Sequence, residues 1–187
     1  KTAYEIPKRD WSSDVCSSDL EAYAEFSGRS FIPELARFPN VVVGRTFSKA
    51  FGLAGLRVGC LVGGRAALDP VRAVLPVYSV NVAAVVAVQA AVQDAAHLAG
   101  YLAQVKDSKA LLYAACERLG LGYTRSDANF VLVSAGERCD RLVRGVAERG
   151  IYLRDRSKEP GCAGRLRITA GIVDHTRRAI AAMEEAL

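Results

Sequence analysis

Thr46, Ser48, Lys49 and Arg57 lie in one short stretch, TFSKAFGLAGLRVG, where a lysine sits beside two hydroxyls and an arginine follows eight positions later. A lysine amine that sheds its proton attacks an aldehyde, and an apolar setting is what lowers its pKa. A guanidinium presents a planar fork of N–H donors matched to a phosphate dianion. Gly52, Ala54 and Gly55 let backbone and ligand approach closely. An amine for an aldehyde and a fork for a phosphate together select pyridoxal 5′-phosphate. Taken singly, Lys49 reads as a solvated loop residue; the set carries the chemistry.

The surrounding pattern alternates between strand and helix. Val41 to Arg45 is a β-branched run after a Pro39-Asn40 turn, and Arg57 to Val62 is a second run ending at Gly63-Gly64; both read as buried strands. Helices follow near Pro70 to Leu75, Val82 to Ala95 and Leu98 to Leu119, the last stopped by Gly120. Asn129 to Ser134 reads as a strand, Cys139 to Arg149 as a helix closed by Gly150, and Ile151 to Arg154 and Leu166 to Thr169 as strands. Asp174 is placed to cap a final amphipathic helix bearing Ile180, Met183 and Leu187. The first part predicts an α/β unit and the rest an α+β unit, joined by the long helix.

With 187 residues, 51% of them hydrophobic and 24% charged, the chain has enough apolar material for a real core. Its longest apolar runs fall short of a bilayer span. The +5 charge comes from dispersed arginines, with no lysine block and no interleaved aromatics, so nucleic acid is not the expected partner. The five cysteines are odd in number and lack metal-type spacing; a reduced cytoplasmic protein without a metal site is expected.

The segment Thr46 to Arg57 resembles the Schiff-base segment of class II, fold-type I aminotransferases, most closely the histidinol-phosphate aminotransferases. The resemblance implies that Lys49 is the catalytic lysine bonded to pyridoxal phosphate, with Ser48, Arg57 and, more weakly, Thr46 on the cofactor phosphate. Glu21 to Phe26 (EAYAEF) is similar to that family's DEAY-x-EF strand end, which gives Tyr23 the cofactor's phenolic oxygen; alone, it is an ordinary strand-end tyrosine. Asn129-Phe130 stands at the family's N-[YF] strand. Ile151 to Asp155 (IYLRD) and Leu166 to Gly171 (LRITAG) resemble its two arginine-bearing elements. Asn129, Arg154 and Arg167 are therefore the substrate-binding candidates, against an alternative in which the arginines form surface salt bridges.

The implied whole is a fold-type I transferase in truncated form: residues 21–96 as the end of the cofactor-binding large domain and 97–187 as the small domain with its linking helix. The implied parent is a homodimer that moves an amino group between L-histidinol phosphate and 2-oxoglutarate, a small-molecule donor and a 2-oxo acid. An aromatic amino-acid aminotransferase or a phosphothreonine-type decarboxylase are alternatives on the same fold. A non-catalytic chain that associates with itself through unpartnered apolar surface is the alternative of another class.

Residues 1–20 depart from the resemblance. Asp10 to Leu20 (DWSSDVCSSDL) has no helical or strand period and matches the translation of a common sequencing-adapter oligonucleotide. Where the family places an aspartate that pairs with the pyridinium nitrogen, this chain has Leu20, and Asp19 is one residue off, hence on the opposite strand face. The family's upstream phosphate-binding turn and its ring-stacking aromatic residue have no counterpart in the sequence. Residues 1–20 are accordingly assigned as foreign. Amplification across the junction from source DNA is expected to yield a product lacking the codons for Asp10 to Leu20; a product encoding all eleven residues overturns the assignment.

Overall fold

Three consecutive valines build the first sheet. Val41, Val42 and Val43 are all buried in β2 (Val41–Thr46), which forms the centre of a three-stranded sheet in the order β1-β2-β3. The computed structural model describes residues 17–187, Ser17 by its backbone alone. Residues 1–16, including Trp11, Cys16 and most of the adapter-like block, lie outside the described residues.

The tail of that block is a strand after all. β1 (Ser17–Leu20) runs parallel to β2 with Ser17 opposite Val41 and Leu20 opposite Gly44. A ladder is made by backbone groups, so four residues without apolar alternation still pair beside a strongly formed valine strand. β3 (Gly59–Gly63) is antiparallel to β2, with Gly59 opposite Thr46. A Cβ at Gly59 would lie 2.6 Å from the Arg45 carbonyl oxygen, so only glycine permits this approach. The expected burial of β3 is corrected: Cys60 and Leu61 are exposed, because β3 is an edge strand and the helix that follows packs only near its far end, at Gly63. It also begins two residues later than expected, since Arg57 adopts a left-handed conformation that a strand excludes.

Three helices follow. α2 (Arg65–Val74) starts five residues earlier than expected and holds Pro70 internally. α3 (Val82–Gln93) is apolar on nearly every side yet buries only Ala84, leaving Val82, Val85, Val86 and Val92 exposed. α4 (Ala95–Arg118) is the long connecting helix, bent 79° from α3 at Asp94. The Asp94 carboxylate caps α4 by accepting the His97 N–H at 2.9 Å. No single described helix is long and apolar enough to cross a membrane.

The second unit is an antiparallel sheet in the order β4-β5-β7-β6, comprising β4 (Gly122–Thr124), β5 (Phe130–Ser134), β6 (Arg154–Asp155) and β7 (Arg165–Thr169). In β5 and β7 burial alternates, so Val131 and Val133 lie opposite Ile168 and Leu166 on the core face. α4, α5 (Cys139–Ala147) and α6 (Val173–Ala186) pack there through Leu112, Leu142 and Met183. The other face carries Phe130 and Arg167. Two expectations are corrected. The Ile151 to Arg154 strand is reduced to Arg154–Asp155, the only residues in register with β7. The α6 cap is Ile172, while Asp174 lies inside the first turn and pairs with Arg177 at 3.1 Å. β4 is too short to announce itself in sequence.

α5 and α6 touch closely enough for one methyl to matter. A Cβ at Gly145 would sit 2.6 Å from the Ala186 Cβ. Alanine is ordinarily favoured over glycine in a helix by ~1 kcal/mol, but overpacking costs ~1–3 kcal/mol. Gly145→Ala is therefore expected to lower the urea midpoint of the chain, and a raised midpoint would show that the two helices separate freely.

Candidate active site

Lys49 follows β2 in a loop that folds back on itself. The Leu53 N–H donates to the Phe47 carbonyl at 2.9 Å and the Gly52 N–H to the Lys49 carbonyl at 3.1 Å, with Gly52 at φ +70°. Phe47 and Phe51 pack at 5.1 Å between ring centroids. Ala50 is buried beneath the loop while Lys49 is exposed. The turn is therefore anchored through its neighbours and leaves the amine open to a ligand. Thr46 Oγ1 accepts the Ser48 N–H at 3.1 Å, which sets both hydroxyl-bearing residues at the base of the loop.

Tyr23 stands at the same end of the first sheet, because β1 runs parallel to β2 and the chain leaves both strands there. It is the N-cap residue of α1 (Ala24–Ser27), and the Lys49 Nζ lies 6.0 Å from its ring centroid. The Tyr23 ring meets Phe130 edge-on at 5.8 Å. Phe130 in turn lies under the Arg167 guanidinium, 5.2 Å from its centroid. Arg167 is directly opposite Arg154 in the β6/β7 ladder. Lys49, Tyr23, Phe130, Arg167 and Arg154 thus form one continuous line across both sheets.

The arginine pair is electrostatically incomplete. Like charges directly opposite in a ladder repel, and neither arginine forms an ion pair with a described residue. The Arg167 Nε is buried without a hydrogen-bond partner. The surface salt-bridge alternative is thereby corrected: both residues line a cleft of about 400 Å³ with Tyr152, Thr169 and His175.

Other expected residues are placed less directly. Arg57 is exposed, and its Nη1 donates to the Ala54 carbonyl at 2.9 Å. It has φ +52°, the one positive value outside glycine among the described residues, and its fork keeps donors free. No hydrogen bond links Arg57 to Lys49, Ser48 or Thr46 among the described residues. Asn129 enters through its backbone, its carbonyl accepting the Ala170 N–H at 2.8 Å. Phe130, beside it, makes the contact that joins the sheets.

One group was not foreseen. Glu21 is 2% exposed, and its carboxylate accepts the Phe31 N–H, the Ser30 hydroxyl at 2.8 Å and Arg45 Nη1 at 3.0 Å. Arg45 Nη2 also binds Glu25 at 2.6 Å. Burial opposes the Arg45 charge, but the Glu25 and Glu21 carboxylates outweigh it and raise the guanidinium pKa. The signal was an arginine inside a valine strand and two glutamates flanking a tyrosine.

A short line of amine, hydroxyl and guanidinium groups at strand ends, between a small α/β sheet and an α+β unit, is the arrangement of a group-transfer enzyme. The chain belongs to the aminotransferase class I and II family, whose model matches residues 18–183. It is 40% identical over 169 residues to a histidinol-phosphate aminotransferase of Symbiobacterium thermophilum, covering 89% of this chain and 46% of that protein. The structure resembles the histidinol-phosphate aminotransferase from Sinorhizobium meliloti in complex with pyridoxal-5′-phosphate, with TM-score 0.77 and 26% identity over 90% of this chain and 48% of that one. It shares its fold with the L-threonine-O-3-phosphate decarboxylase from Porphyromonas gingivalis, with TM-score 0.74 and 22% identity over 92% and 55% of the two chains. The fold is that of fold-type I transferases. The chain spans about half the length of the relatives it matches.

Pyridoxal phosphate fits three of the four ends of this site. The open amine of Lys49, the Tyr23 ring beside it and the free donors of Arg57 suit the aldehyde carbon, the phenolic oxygen and the phosphate. The ring-nitrogen end is different. Leu20 is 76% exposed and offers no charge, while burial and the nearby Glu21 carboxylate raise the Asp19 carboxyl pKa, which disfavours the anion a pyridinium needs.

With pyridoxal phosphate and borohydride, Lys49→Ala is expected to abolish the fixed label, and Lys106→Ala, on the exposed side of α4, to leave it intact. Peptide mass spectrometry decides between them. Arg57→Gly keeps the left-handed backbone while removing the fork, so cofactor retention should fall about tenfold or more, the scale of a lost charged hydrogen bond, with an unchanged unfolding midpoint. Retention equal to that of the unaltered chain would remove Arg57 from the phosphate.

Proposed function

We propose that this chain carries the lysine and substrate-arginine part of a pyridoxal-phosphate aminotransferase acting between L-histidinol phosphate and 2-oxoglutarate, in a cytoplasmic homodimeric parent. The observation that carries the reading is the uncompensated Arg154 and Arg167 pair in line with Lys49. The names of the relatives support the donor.

Arg154 and Arg167 hold the anionic end of donor or acceptor, and the guanidinium geometry favours phosphate or carboxylate in a planar grip. Ser48 Oγ and Arg57 hold the cofactor phosphate, with Thr46 supporting Ser48. Tyr23 Oη donates to the cofactor's phenolic oxygen. Asn129 anchors Phe130 through its backbone. When bound, the cofactor supplies an electron sink for the carbon that loses its proton. Lys49 Nζ would take that proton from the substrate carbon and deliver it to the cofactor carbon, the shift that leaves the amino group with the cofactor.

The 187-residue chain alone is proposed to be inactive, because no charge stands at Leu20 to keep the ring nitrogen protonated. Its exposed Val74, Val77, Tyr78, Val82, Val85, Val86 and Val92 favour self-association as the second reading. The decarboxylase alternative rests on shared fold and would release carbon dioxide without forming glutamate.

Glutamate formation from histidinol phosphate and 2-oxoglutarate is expected to be undetectable with this chain, and Leu20→Asp alone should not restore it. In a hybrid joined to the upstream half of the Symbiobacterium relative with aspartate at position 20, turnover is expected. There Arg154→Ala and Arg167→Ala should each reduce kcat/KM for the phosphorylated donor by about tenfold or more, with cofactor occupancy unchanged. Full activity in both variants would return the arginines to an ordinary surface role.

A further inference from the structure

Tyr23 lies beside the Lys49 amine with the backbone on either side of it held: the Glu21 N–H donates to the Gly44 carbonyl at 2.9 Å, and one side chain spans both flanks. Glu21 and Glu25 flank Tyr23, and both bind Arg45, which stands on β2 four residues before Lys49. We propose that Arg45 is the positioning residue of this site: its two-carboxylate clamp ties the β1 to α1 turn to the strand that delivers the lysine, and so sets Tyr23 against Phe130 and beside Lys49. The proposal rests on the reading of Tyr23 and Lys49 as one cofactor site.

The geometry is specific to a fork. Nη1 binds Glu21 at 3.0 Å and lies 3.4 Å from the Ser30 hydroxyl, while Nη2 binds Glu25 at 2.6 Å. The two bonds leave from different nitrogens of one planar group, a span that a single ammonium does not reproduce. Glu21 is fully withdrawn from water, with a side-chain exposure of 0%, against 22% for Arg45 and 9% for Glu25. A buried carboxylate left with a donor missing is strongly unfavourable, so loss of Arg45 drives Glu21 toward solvent. Glu25, released from the same fork, frees the far end of the turn. Tyr23 lies between them and must move with both.

The test uses the 187-residue chain labelled with 3-fluorotyrosine, the Tyr23 line being assigned by its loss in Tyr23→Phe. In the cofactor-free protein, Arg45→Met is expected to shift the Tyr23 fluorine line toward its unfolded position, while the Tyr113 and Tyr123 lines, from a stacked pair in the second unit, stay in place. Glu25→Gln, which removes one arm of the clamp, should move the Tyr23 line part of the way, and Arg45→Lys should restore less than half of the shift. With pyridoxal phosphate and borohydride, Arg45→Met and Tyr23→Phe should each lower labelling of Lys49 at limiting cofactor by about tenfold, the double variant no further. An unmoved Tyr23 line in Arg45→Met overturns the proposal, as does movement of all tyrosine lines together, which marks Arg45 as a general stabiliser. Additive losses in the double variant overturn it as well. Should Lys49 of the unaltered chain take no label, the cofactor reading fails, and the fluorine lines still decide for or against the clamp.

Discussion

Two aromatic contacts join the sheet that delivers Lys49 to the sheet that delivers the arginines. Tyr23 meets Phe130 at 5.8 Å, and Phe26, one turn further along α1, meets Tyr101 on α4 at 6.3 Å. Phe26 belongs to a helix of four residues and Tyr23 is its N-cap, and such a helix is too short to be stable on its own. Its order is imposed by the ion cluster on one side and by aromatic packing on the other. Without this plug the lysine and the arginine pair would belong to separate units, linked only through the long helix.

The second constraint is the division of labour between the faces of the β4-β5-β7-β6 sheet. Strand alternation sends Val131, Val133, Leu166 and Ile168 into the helices and leaves Phe130 and Arg167 on the opposite face. Stability and chemistry are therefore written on alternate residues of the same strands. A one-residue slip would turn Arg167 into the core and expose the core valines, so the hydrophobic face that holds the fold also fixes the register of the arginine pair.

Much of this was legible in the sequence because it depends on local chemistry. The valine run of β2, the glycine stop at Gly120 with φ +61°, and the amphipathic last helix follow from residue type and spacing. Arg154 and Arg167 were singled out by their motifs, and their pairing follows from one hairpin-like ladder. What was missed depends on partners distant in the chain. β3 has the composition of a buried strand, but burial is decided by what covers it. β1 has no apolar pattern because a parallel ladder needs backbone groups only. The Glu21 and Arg45 pair joins a residue just past the end of β1 to one on β2, and each alone looks like an ordinary charged residue.

The bend at Asp94 gives the molecule a lever. Asp94 holds φ −93° and ψ 67°, outside the helical region, between a helix of 12 residues and one of 24. The longer arm is ~36 Å at the usual helical rise. A rotation of five degrees at this one residue therefore carries its far end about 3 Å, a displacement as large as a hydrogen bond is long. The pivot lies close to the lysine loop, and the arginine-bearing sheet is mounted on the arm. Any such rotation would part Tyr23 from Phe130 and Phe26 from Tyr101, so two ring contacts near the pivot hold the angle of the whole arm.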